Sequence, residues 1–181
     1  MRVITVQHKD VYKRLRKDGI YRATEEYVSE NLVKPYRFMQ TYFRWESTPI
    51  FLGVVGHNVN YGGAKFDENS IAMEFEIPDE YVKIQRYYDW SDFIYFTELP
   101  WEFNDTCNVE KFGSVNEWAL TIMNIKHDIA RADRFRDPLQ ASVEMLNIDW
   151  LVDTLENLDK FQQDYNDNGG VNVLESLSKY K

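Results

Sequence analysis

The chain has 181 residues, 44% apolar and 15% aromatic, with 30 acidic against 21 basic side chains for a formal charge of −9. This composition excludes a disordered chain and predicts one domain with a core rich in Tyr, Phe and Trp. No apolar run approaches the ~20 residues of a membrane span, the longest clear one being "PIFLGVVG", and the basic N-terminus lacks an apolar signal core, so a cytoplasmic protein is expected.

The charge is unevenly spread. Residues 1–50 carry ten Lys/Arg against six Asp/Glu, and residues 51–181 carry eleven against twenty-four. The acidic remainder repels nucleic acid at long range and favours a basic protein partner. Cys107 is the sole cysteine, which excludes an internal disulfide and fits a reducing compartment; "FNDTCNVEKFG" offers its thiol no His as a base.

Taken in chain order, "RVITVQ" alternates as a strand, and "KDVYKRLRKDG" sets Val11, Leu15 and Tyr12 on one helical face with Gly19 as the stop. "GIYRA" is a second short strand. Helical spacing follows on either side of Pro35, which is expected to begin or kink a helix, with Tyr27, Leu32, Tyr36, Met39 and Phe43 inward. "PIFLGVVG" and "SIAMEFEIP" are predicted to pair as antiparallel strands around a loop containing Gly62 and Gly63. In the second of them Ile71, Met73, Phe75 and Ile77 point inward, and Ala72, Glu74 and Glu76 outward. "YVKIQ" is a further short strand at an edge of the core.

The last third is predicted helical. Ser114 and Glu117 form a capping box ahead of Val115, Trp118, Ile122, Ile125 and Ile129. A second helix is expected from Pro138, with a stripe of Leu139, Val143, Leu146, Trp150, Leu155, Leu158 and Phe161, and "VNVLESLSKY" docks as a tail. The fold class is therefore α+β, a mainly antiparallel sheet with flanking helices and a helical C-terminal third over residues 104–181.

No phosphate-binding glycine loop, GxSxG elbow or HExxH is present, and His8, His57 and His127 are scattered, so neither a metal site nor a resident cofactor is expected. "TVQ", "VYKRLRKDGIYRA" and "AMEFEIPDEYVKI…YDW" together resemble an uncharacterised family of small bacterial and phage domains, over residues 1–103. The order of strand, helix, Tyr-bearing strand and later strand is also similar to ADP-ribosyltransferase-like folds. That likeness implies use of NAD, with Gln7 or His8 and Tyr21 holding it, Glu98 acting on the ribose, and Arg22 and Arg44 on the pyrophosphate.

These observations lead to an acidic protein-binding module, of the kind by which a phage or mobile element inhibits a host factor. Asp153, Glu156 and Asp159 are its candidate contacts with a basic surface. The alternative is an NAD-using transferase or a degenerate relative. A third reading, nucleic-acid binding through Arg14, Arg16, Arg37, Tyr42 and Trp45, is opposed by the net charge.

Overall fold

The computed structural model describes residues 1–60, 66–98, 115–126, 138–167 and 172–181. The strands are β1 (Arg2–His8), β2 (Ile20–Tyr21), β3 (Ile50–Val54), β4 (Asn58–Val59), β5 (Ser70–Glu76), β6 (Lys83–Arg86), β7 (Leu139–Val143), β8 (Leu146–Asn147), β9 (Leu151–Leu155) and β10 (Asn172–Val173). The helices are α1 (Lys9–Asp18), α2 (Glu30–Phe43), α3 (Tyr87–Glu98), α4 (Val115–Ile122) and α5 (Asp159–Asp167). Six strands form one sheet in the order β6-β7-β3-β1-β5-β9, with every neighbouring pair antiparallel. The α+β class is as the sequence predicts.

Alternation along the strands sends residues to two covered faces. On one, Val3, Leu52, Met73, Phe75, Ala141 and Val143 pack with Leu15 of α1. The opposite face is covered by two groups. Ile4, Ala72 and Leu155 meet Phe161 of α5 and Leu177 of the tail. Met39 of α2, Trp90 and Phe93 of α3, and Trp118 of α4 form an aromatic cluster against Phe51. Helix α1 starts where the His8 side chain accepts the Asp10 N–H, and it ends at Gly19, whose φ of 77° is the left-handed conformation that favours glycine.

Several expectations are corrected. The strands β3 and β5 do not pair, because β1 lies between them: Ile4 is opposite Gly53 on one side and Glu74 on the other. Ala72 and Glu74 do not face solvent, since the second face of the sheet is also covered; both are fully buried, and only Glu76 is exposed. Tyr27 belongs to a single 3₁₀ turn, Glu25–Tyr27, and is exposed, while Pro35 lies inside α2 rather than at its start.

The largest correction falls on the C-terminal third. The long helix expected from Pro138 is absent, and residues 139–155 form β7, β8 and β9 instead. Leu139, Ala141 and Val143 alternate onto one face, a period that the helical spacing of Leu139, Val143 and Leu146 mimics over so short a run. The α4 helix does form with Trp118 and Ile122 buried, and the tail docks through Leu174 and Leu177. Cys107, Ser114, His127 and Ile129 lie outside the described residues.

Candidate functional site

The sheet opens at its centre. β1 pairs with β5 over seven positions but with β3 over two, Val3 with Val54 and Ile4 with Gly53. Because the Arg2 carbonyl accepts from Val55 N–H, the even-numbered residues of β1 direct their main-chain groups toward β3. The next rung would join Val6 to Phe51, but the ladder stops short of it. Thr5 Oγ1 instead donates to the Phe51 carbonyl at 3.1 Å, and Gln7 Nε2 donates to Thr5 Oγ1 at 2.8 Å.

A cleft of about 430 Å³ occupies the gap. Its walls are Tyr36 of α2, Phe51 of β3, and Tyr87, Trp90 and Ile94 of α3. The rings touch: Tyr36 and Phe51 have centroids 5.2 Å apart, and Phe51 and Trp90 6.0 Å. Polar atoms come from Thr5, Gln7, Asn31, Asn60, Ser91 and Gln140. Among the described residues no charged side chain lines the cleft. Burial, reinforced by the neighbouring Tyr87, pushes the Tyr36 phenol up to about 12, so it stays a neutral donor. Gln140 Nε2 is buried without a hydrogen-bond partner among the described residues.

A second cavity of about 380 Å³ lies on the α1 side of β1. Residues 7–27 fold around it, bringing together Gln7, His8, Val11, Arg14, Tyr21 and Tyr27. Burial raises the Tyr21 phenol above its usual range. Asp10, also at the rim, is held below the usual carboxylate range by its hydrogen bond to Lys13, at 2.8 Å. Gln7 borders both cavities.

Gln7, His8 and Tyr21 line one cavity, and Arg22 and Arg44 do not join them. Arg22 and Arg44 are exposed and line neither cavity; Arg44 sits at the end of α2 with φ 59°. Glu98 is the last residue of α3, and its side chain lies outside the described residues. Asp153, Glu156 and Asp159 lie not on one helix but along the edge strand β9, the turn after it and the start of α5. Asp153 is ion-paired with Lys181, which holds its carboxyl below the usual range, and Glu156 is 3.7 Å from Lys9.

Sequence reasoning placed Tyr36 inward but assigned no role to Trp90, Asn31 or Gln140. The available signal was Gln140 itself, an amide set within an otherwise apolar and small-residue run, "LQASV". No three His, Cys, Asp or Glu side chains gather among the described residues, and no described helix is long and apolar enough to cross a membrane. No protein-family model, curated protein or solved structure matches this chain.

Proposed function

We propose that the protein is a binding module that engages a basic partner protein, in the manner of a small inhibitor. The supporting observation is the charge laid along the β9 edge. Residues 138–167 hold seven carboxylates and one lysine, and the 3₁₀ turn, strand, bend and helix start carrying Asp149, Asp153, Glu156 and Asp159 in that order are consecutive. Val152 of the same edge strand is exposed and adds an apolar contact. Such a field accelerates encounter with a cationic surface and fades as salt shortens its reach to roughly 8 Å.

The test is to recover binders from a lysate on the immobilised chain and measure their association rates. Binding should slow with added salt, and again for the variant carrying Asp153→Asn, Glu156→Gln and Asp159→Asn. A rate indifferent to both removes the acidic edge as the docking surface.

A transferase-like reading is favoured by one observation, the meeting of Gln7, His8 and Tyr21 with the Arg14 guanidinium in the second cavity. Arg offers planar paired donors to a pyrophosphate. On this reading NAD gives calorimetric heat at millimolar concentration and Tyr21→Ala abolishes it; silence from the wild-type protein ends it.

A further inference from the structure

We infer that the cleft between β1, β3, α2 and α3 is a binding site for an uncharged nucleobase or nucleoside. The inference is independent of the acidic edge and uses a different part of the molecule. Three observations carry it.

The first is shape and wall chemistry. A cavity of about 430 Å³ lies in the size range of small-molecule sites, which combine apolar and aromatic walls with a few placed polar groups. Trp90, Tyr36 and Phe51 supply π-faces on which a flat heterocycle stacks.

The second is the unfinished rung. Val6 lines the cleft with its main-chain donor and acceptor directed toward β3, and the Phe51 carbonyl that would receive the Val6 N–H is engaged by Thr5 instead. A strand edge presents a donor and an acceptor side by side, and a base edge presents the complementary pair. Gln140 also lines the cleft, and its Nε2 is buried without a partner; buried donors in native structures are nearly always satisfied, so a bound base to which this side chain turns would supply the missing acceptor.

The third observation is charge. No Lys, Arg, Asp or Glu is found among the described lining, so nothing there compensates a phosphate or a charged amine. This selects a base or nucleoside over a nucleotide.

The experiment is a thermal-shift and calorimetric titration of the full chain with adenosine, guanosine, cytidine and uridine. The corresponding 5′-monophosphates and a panel of neutral monosaccharides serve as comparators. At least one nucleoside should give a saturable rise in melting midpoint at millimolar concentration or below, with its monophosphate weaker. Gln140→Leu should weaken that nucleoside about tenfold while leaving the ligand-free midpoint unlowered, because the amide it removes has no partner to lose. Ser91→Phe, which fills the cleft from α3, should abolish binding. The inference is overturned if no nucleoside binds, if monosaccharides bind in their place, or if binding survives Ser91→Phe.

Discussion

Glu74 lies on β5, an interior strand beside the edge strand β9, and the consequences of removing it are calculable. Its side chain is fully buried; Oε2 accepts from Ser176 Oγ at 2.9 Å and from the buried Leu177 N–H at 2.9 Å, while Oε1 is ion-paired with Arg2. Glu74→Met keeps the volume and removes the acceptor. The Ser176 hydroxyl is partly exposed and rehydrates, but the Leu177 N–H is stranded, which costs about 1–3 kcal/mol. Adding the lost charge-assisted bonds, and offsetting the desolvation that the carboxylate no longer suffers, gives a net loss of about 2–4 kcal/mol. Arg2→Met acts from the other side, leaving a buried carboxylate without its counter-ion. The Arg2 side chain is 44% exposed, so its loss is expected at the lower end, about 2 kcal/mol. The two changes share one interaction, so urea midpoints of both single variants and the double variant should show the double to be at least 1 kcal/mol less costly than their sum. Additivity within about 0.5 kcal/mol would refute the idea that these two groups stabilise each other.

Three other outcomes follow from the same structure. Tyr36, raised to about 12 by burial, favours the folded state fully below the unfolded phenol value of about 10; that contribution is lost as the pH rises from there to about 12, and Tyr36→Phe should flatten the alkaline limb of a stability-versus-pH curve. Asp153 is shifted the other way, chiefly by its hydrogen bond to Lys181, so its contribution is present above about pH 4 and fades as the pH falls through its lowered value; Asp153→Asn should remove that acid-side slope in urea titrations at pH 2–5. Gly19→Ala, at φ 77°, should lower stability by about 1–2 kcal/mol in thermal melts, whereas Gly19→Asn should recover part of the loss.

What the sequence revealed depended on whether local pattern and tertiary partner agreed. The opening unit was legible because alternation in "RVITVQ", the helical face of Val11 and Leu15, and the left-handed stop at Gly19 are all local signals. Residues 139–155 were misread because their apolar spacing satisfies both periods, and the choice is made by β3 and β6, whose partners in β7 lie far away in sequence. Glu74 was misassigned for a related reason. An acid at an alternate strand position reads as solvent-facing, and nothing nearby announces that Ser176 and Leu177 will cover it. Half of the candidate site was visible, in Gln7, His8 and Tyr21. The cleft between β1, β3, α2 and α3 was not, since its walls come from segments far apart in sequence that meet where the β1–β3 ladder stops.

The strand order also sets how the chain reaches this state. The shortest-range rung of the six-stranded sheet, Ile4 with Gly53, spans 49 positions, and every other pairing is longer. Among the described residues no tight hairpin therefore nucleates the sheet, and loop-closure entropy must be met before these strand pairings reward it. A high contact order of this kind places folding in the millisecond-to-second range rather than the microsecond range of helical bundles. During synthesis β1, destined for the interior, waits with both edges bare until β3 and then β5 have been made. In that interval "VITV" is an apolar, β-branched segment without a partner, and α1, with its run of Lys and Arg directly behind it, serves as the flanking charge that discourages self-association.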